Sequence, residues 1–252
     1  MKKDIKNLLR FSQQFGVKYG LKLFFKFKFG DINSIKIPLI KHNITLRKET
    51  SDIPTFFQVF VHNEYGINYS KYIGSPKVVI DGGANIGLFT ILMKNKFPEA
   101  KVICIEPDKE NFELLKKNVE SYDNVFCLNN GLWNKSIKLK VFDKYKRGKW
   151  GIVVEENERE GEIQAVSIGD LLNKFSIEEI DILKLDIETS EKKVFQNNFE
   201  SWLPKTKMLI IELHDYMDEN CSKTFFEAIN KTFTKYEYHT SGENTIIINK
   251  GI

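Results

Sequence analysis

Residues 78–91, VVIDGGANIGLFTI, lead an apolar strand through a glycine-rich loop into an apolar helix. Small residues at such a junction let the backbone approach a ligand closely and take dihedrals closed to larger residues. Amide groups at the start of the helix can meet electronegative ligand atoms. Asn85 stands where glycine is common, and asparagine tolerates the left-handed region better than most residues. Asp81, Gly82, Gly83, Ala84, Asn85 and Gly87 are therefore the expected cofactor cradle. Their spacing is Gly-x-x-x-Gly (Gly83, Gly87), not the Gly-x-Gly-x-x-Gly of dinucleotide binders, so the loop suits a nucleoside without a pyrophosphate.

Downstream, Glu106 ends the run VICIE, about 20 residues past the loop, where an acid can take both ribose hydroxyls. It would repel a 2′-phosphate. Pro107 stops this strand, and Asp108 can cap the next helix. Asn129-Asn130-Gly131 closes a third strand, which places Asn130 toward the base. Strand-like runs at 77–81, 101–106, 125–128, 180–186 and 207–213 alternate with helical patterns at 88–96, 109–120 and 191–199. Such alternation implies a doubly wound, mostly parallel sheet. Runs at 235–239 and 245–249 are joined only by Ser241-Gly242-Glu243-Asn244, so they should form an antiparallel hairpin.

The combination implies an α/β Rossmann-like class I methyltransferase fold. Its expected sheet has seven mostly parallel strands, a C-terminal antiparallel hairpin and a small N-terminal extension. S-adenosylmethionine is the cofactor it implies. Residues 131–167 read as extra β-structure, and Lys144–Trp150 in it offers Tyr145 and Trp150 to stack on a sugar face.

Upstream, residues 1–50 read as a basic, aromatic extension and hairpin, and residues 51–252 as the main domain. Phe25-Lys26-Phe27-Lys28-Phe29 alternates with period two, as a half-buried strand would. Residues 34–47 suggest a hairpin turning near His42-Asn43. Thr50-Ser51-Asp52 offers N-cap chemistry to a helix carrying Phe56, Phe57, Val59 and Phe60.

Bulk properties narrow the function. The net charge is +4, but residues 1–30 hold eight basic residues against Asp4 alone, so the remainder is about −3. That is unlike a nucleic-acid binder, whose basic charge forms a broad footprint. The basic, apolar segment 1–30 fits contact with an anionic membrane surface, and equally packing on the main domain. Three cysteines, Cys104, Cys127 and Cys221, lack metal spacing and read as reduced thiols, which implies a cytoplasmic setting. No run approaches the ~20 apolar residues of a membrane span.

At this point the chain resembles the FkbM family of S-adenosylmethionine-dependent methyltransferases. The resemblance runs from about Arg47 to Asp215. It rests on Arg47–Asp52, Tyr65, IDGGANIG (80–87), IEPDKENFELLKKN (105–118), KLDIETSE (184–191) and IIELHD (210–215). It implies O-methylation, often of sugar hydroxyls on glycans, glycolipids or secondary metabolites, and closure of Thr50-Ser51-Asp52 over the cofactor. The family usually has a glycine and a small residue after Asp186-Ile187-Glu188, whereas Thr189 and Ser190 stand here. A β-branched threonine resists a positive φ, which predicts a differently shaped turn.

Ligands in such sheets bind outside the carboxyl ends of the strands. Asp186 should lie near the reacting methyl and touch the cofactor, with Glu188 and Glu212 beside it. His214 is the expected general base, because an imidazole titrates near neutrality. Lys184 is expected to pair with one of these acids. Asp186, Glu188, Glu212 and Asp215 have oxygens fit for Mg²⁺, but nothing in the spacing demands an ion, and no metal ligand is assigned. Two other readings compete: a catalytically silent module attached to a membrane or glycan-assembly partner, and an NAD-dependent oxidoreductase, which would need the missing pyrophosphate loop.

Overall fold

The computed structural model describes residues 2–142, 153–157 and 161–252. In chain order the strands are β1 (Val78–Gly82), β2 (Lys101–Ile105), β3 (Val125–Leu128), β4 (Gly131–Leu132), β5 (Lys138–Phe142), β6 (Val153–Glu156), β7 (Ile163–Val166), β8 (Ile180–Leu185), β9 (Thr206–Glu212), β10 (Tyr236–Ser241) and β11 (Asn244–Asn249). The helices are α1 (Lys2–Phe15), α2 (Val17–Phe29), α3 (Asp52–Phe56), α4 (Tyr69–Ile73), α5 (Leu88–Lys96), α6 (Lys109–Val119), α7 (Ile168–Phe175), α8 (Glu191–Gln196) and α9 (Cys221–Thr232).

Seven strands form the central sheet in the order β10-β11-β9-β8-β1-β2-β3. Neighbours from β9 to β3 pair in parallel, and β11 runs antiparallel to both β9 and β10. The inner strands are apolar runs buried on both faces, as parallel strands under two helical layers must be. Alternate side chains sort into two cores. Val79, Val102, Ile182 and Ile210 meet α5, α6 and the N-terminal region. Ile80, Ile103, Leu183 and Leu209 meet α7, α8 and α9. The chain order reverses at β1, between β8 and β2, so a crevice opens at the carboxyl ends of these strands.

Upstream of the sheet, several expectations change. Residues 25–29 are helical, as the end of α2. The Phe/Lys alternation spans only five residues, whereas Leu23, Phe24 and Phe27 follow helical spacing onto the core. Phe27 packs on Phe11, Phe56 and Phe57, while Phe25 and Phe29 stack on each other outside. Val17, Leu21, Phe25 and Phe29 thus form an exposed stripe beside Lys18 and Lys22. No helix among the described residues is long and apolar enough to cross a membrane.

The hairpin expected at 34–47 reduces to one antiparallel bridge, Ile35 with Ile44. Pro38 has no N–H, and the Thr45 N–H and C=O are both taken by the Asn118 side chain. α3 forms where expected, but no side chain caps it at Ser51. Instead Asp52 is clamped by Arg47, whose Nη2 also donates to Asn111 Oδ1 at 2.6 Å. A π turn, Phe57–Val61, continues α3, with His62 N–H donating to the Phe57 carbonyl.

The β-structure expected in 131–167 is present as a second sheet, β4-β7-β5-β6, around Trp133, Leu139, Val154 and Ala165. Lys144–Trp150 lies outside the described residues. α8 ends at Gln196, three residues short of the expected helix. The cysteines are free; Cys104 and Cys221 are buried and Cys127 is half-buried.

Candidate active site

The crevice at the reversal point is a cleft with about 840 Å³ of empty space, partly open to solvent. Each wall comes from a strand end. Gly83, Ala84 and Asn85 follow β1, Glu106 and Pro107 follow β2, Gly131 and Leu132 form β4 beyond β3, and Asp186, Ile187, Glu188 and Ser190 follow β8. Thr55, Gln58 and Val59 of α3 and its π turn cover the cleft, and the Arg47 clamp fixes this cover to the start of α6. π turns recur where side chains must be re-aimed at functional sites. Thr50 and Asp52 act through this clamp rather than as lining groups.

The glycine loop takes the backbone its sequence implied. Gly83, Asn85 and Gly87 have φ of 69°, 49° and 86°. The Gly83 and Ala84 amides donate to the Ile105 carbonyl. A Cβ on Gly83 would stand 1.7 Å from the carbonyl oxygen of Asp186, so β1 and β8 meet there backbone to backbone. Glu106 is 4% exposed and accepts one amide on each oxygen, from Asn85 at 2.8 Å and Asp108 at 2.9 Å. Burial nevertheless pushes its carboxyl up to about 7. Further lone pairs on both oxygens remain for ligand hydroxyls, and Oδ1 of Asn85 is a buried acceptor with no hydrogen bond.

Asp81, Gly82 and Gly87 of the expected cradle do not line the cleft, and Asp81 lies beneath the loop. Asp81 is fully buried; it accepts from Thr90 Oγ1 at 2.7 Å and faces Lys184 Nζ at 3.3 Å. Lys184, expected to pair with an acid of the β8 or β9 end, instead pairs with Asp81 and donates to the carbonyls of Gly82 and Gly83. This pair therefore holds the loop from below. Asn130 is not among the lining residues, because its amide donates to the Gln164 carbonyl of β7. Asn129 braces the Glu106 and Pro107 carbonyls.

The acidic end of the cleft gathers Asp186, Glu188, Glu191 and Glu212 around His214. Nε2 of His214 lies 3.4 Å from Glu212, 3.7 Å from Glu188 and 4.0 Å from Asp186, while Nδ1 lies 3.1 Å from Glu191. Burial alone would depress this imidazole, but hydrogen bonding to Glu191 and Glu212 and the charges of Glu191 and Asp186 push it up to about 12. Burial, with the charge of Asp186, pushes Glu188 up to about 8. Burial also raises Glu212.

His214 is therefore not placed as a general base. It is 1% exposed, does not line the cleft, and has both ring nitrogens turned to carboxylates. Asp186 and Glu188 do reach the cleft, and Glu212 stands behind them. Asp215 turns away to hold the first turn of α9 through Ser222. Glu191, first residue of α8, was not singled out from sequence. The available signal was its place as the first residue of the helix that follows the Asp186-Ile187-Glu188 strand end.

The Glu188–Thr189 turn corrects another expectation. Both residues have positive φ, 48° and 79°. Such a conformation costs roughly 1–3 kcal/mol per residue when a side chain must adopt it, and it concentrates at functional sites. The turn is pinned because the Ile187 amide donates to Glu191 and the Ser190 amide to the Ile187 carbonyl.

Comparison with known proteins is consistent with this geometry. The family model described as the methyltransferase FkbM domain matches residues 81–240. Methyltransferase sdnD of Sordaria araneosa is 25% identical over 189 residues, covering 62% of this chain and 72% of that protein. Methyltransferase 1 of Beauveria bassiana is 22% identical over 196 residues, covering 67% and 79%. Among solved structures, a precorrin-6y C5,15-methyltransferase from Geobacter metallireducens aligns with 84% of this chain and 97% of its own, at 10% identity and a TM-score of 0.46.

Proposed function

Because this chain belongs to the FkbM methyltransferase family, and is thereby an S-adenosylmethionine-dependent methyltransferase, we propose that it O-methylates a hydroxyl of a sugar or related polyhydroxylated acceptor. When bound, S-adenosylmethionine supplies an electrophilic methyl group and leaves as S-adenosylhomocysteine. The residues fit that group. Glu106 offers a carboxylate to two ribose hydroxyls, and Gly83, Ala84 and Asn85 line the cleft beside it.

One observation carries the acceptor class. Two carboxyl groups stand in the wall next to the junction of β1 and β8, beside Lys184 and Ile187, and the lysine is already engaged with Asp81 and the loop carbonyls. Asp186 and Glu188 line it, and Glu188 Oε2 is a buried acceptor without a hydrogen bond. Carboxylate oxygens orient neutral hydroxyls by accepting from them, and can take the proton that leaves as the ether forms. The test is methyl-labelled S-adenosylmethionine incubated with a panel of mono- and oligosaccharides and glycolipid headgroups. Label should appear in a base-stable methyl ether. Label confined to amines or to base-labile esters would sink the proposal.

Glu106 gives cofactor binding a pH signature. Its folded-state value near 7 lies above the ordinary carboxyl value of 4.5. Between those values the folded protein holds a proton that the unfolded chain releases, so the cost of burying the charge appears as pH rises toward 7. Two ribose hydroxyls require the charged acceptor form. Affinity should therefore fall as pH drops below 7, by about tenfold per unit at most. Calorimetry between pH 5.5 and 8 checks this. Glu106→Gln should bind weakly at every pH, and a pH-independent wild type would exclude the linkage.

A further inference from the structure

We infer that the buried cluster of Asp186, Glu191 and His214, completed by Glu188, is a site for one divalent metal ion. Asp186, Glu191 and His214 each present a ligand atom, and these atoms lie within 4.8 Å of one another. The charge is unbalanced: four carboxylates, counting Glu212, surround one imidazole. Among the described residues, the buried lysine nearby is Lys184, and it is engaged with Asp81 and two loop carbonyls. Burying so many anions without matching cations is costly, and a bound cation is a standard way to offset it.

The independent observation is two buried carboxylate oxygens without a hydrogen bond among the described residues, Glu191 Oε2 and Glu188 Oε2, the latter 3.7 Å from His214 Nε2. The two residues are 0% and 8% exposed. The other Glu191 oxygen is fixed by the Ile187 amide and His214 Nδ1, so the carboxylate is held in place with Oε2 left over. One imidazole with several carboxylates suits Mn²⁺ or a similar hard-to-borderline ion better than a thiolate-seeking one. Asp186 and Glu188 also line the cleft, so the ion would stand where an acceptor hydroxyl enters. A hydroxyl on such an ion loses its proton more readily. That role rests on the O-methylation proposed above, whereas ion binding itself does not.

The test uses full-length protein stripped with a chelator and dialysed. Mn²⁺ is titrated in with and without S-adenosylhomocysteine, and the free-ion electron paramagnetic resonance signal is followed. One Mn²⁺ per chain should bind. Glu191→Gln, which keeps the shape, should weaken it at least tenfold, and Glu188→Gln serves as the second variant should Glu191→Gln fail to fold. Calorimetric binding of S-adenosylhomocysteine reports separately on the cofactor half. No loss of the free signal in wild type up to millimolar Mn²⁺ overturns the site. So does wild-type Mn²⁺ affinity in a folded Glu191→Gln or Glu188→Gln protein. The acceptor-class proposal fails on the labelled-product assay alone, so the two failures are distinguishable.

Discussion

Gly83→Ala should bind S-adenosylmethionine at least 100-fold more weakly than wild type, and should melt well below it. At φ 69° an alanine sits in the left-handed region, which costs about 1–2 kcal/mol. The new methyl would also stand 1.7 Å from the Asp186 carbonyl oxygen and 2.8 Å from its carbon. Those are backbone atoms, so no rotamer change relieves the clash; the ends of β1 and β8 must part. Overpacking of this kind costs about 1–3 kcal/mol more. A total near 3 kcal/mol corresponds to roughly 6–12 °C in Tm for a chain of this size. Gly87→Ala is the useful contrast. Its methyl would meet the side chains of Leu115 and Val119, which can shift, although its φ remains unfavourable. A Gly83→Ala protein with a cofactor affinity within threefold of wild type would show that the loop is not held as described.

Asp81→Ala should have the second large effect, acting from beneath the loop. The substitution leaves the Lys184 ammonium, in a side chain 5% exposed, without its ion-pair partner and with two carbonyl oxygens as hydrogen-bond acceptors. Removing one partner of a buried ion pair costs about 3–5 kcal/mol. Thr90 loses its acceptor as well. The double variant Asp81→Leu/Lys184→Met separates stability from grip. Apolar replacement of a whole buried pair is often near neutral, so thermal stability should largely return. The Gly83 carbonyl then loses its lysine donor and the Gly82 carbonyl keeps only the Asp186 amide, so cofactor affinity should stay about tenfold down, roughly the value of one hydrogen bond to a charged group. Denaturation and calorimetry on the two variants measure both quantities. An Asp81→Ala protein within 1 kcal/mol of wild type would remove the pair from the account.

The glycine loop and the acid beside it were legible because their constraints are local. A strand, a loop of small residues and an acid at the next strand end specify one another within thirty residues, and Asn85 could be read as a left-handed position before its φ was known. The antiparallel closure of β10 and β11 was legible for the same reason, since a two-residue turn leaves no room for a crossover. The acidic half depends on burial and on contacts across the sheet. His214 has suitable neighbours in sequence, but its enclosure depends on α8 delivering Glu191 from 23 residues away. Thr189 follows the same pattern. Threonine disfavours the conformation it adopts, and the hydrogen bonds of the Ile187 amide to Glu191 and of the Ser190 amide to the Ile187 carbonyl hold it there. α7 and α9 were not read from the sequence. α7 has a full capping box, Ser167 with Asp170, that could have marked it, whereas α9 begins after Asn220 at a positive φ with no side-chain cap. Residues 25–29 misled because five residues are too few to separate two periods.

The second sheet has a consequence for how this frame can diversify. It keeps its own small core of Trp133, Leu139, Val154 and Ala165, distinct from the two cores that flank the central sheet. Yet Gly131, Leu132 and Val154 form part of the cleft wall. The grip on the cofactor is built by β1, β2 and β8, and only Leu132 of this group also belongs to a main core. The wall is thus an interchangeable panel. Its sequence can drift, or be replaced by a panel of another shape, while the loop and the acid at the ends of β1 and β2 are left untouched.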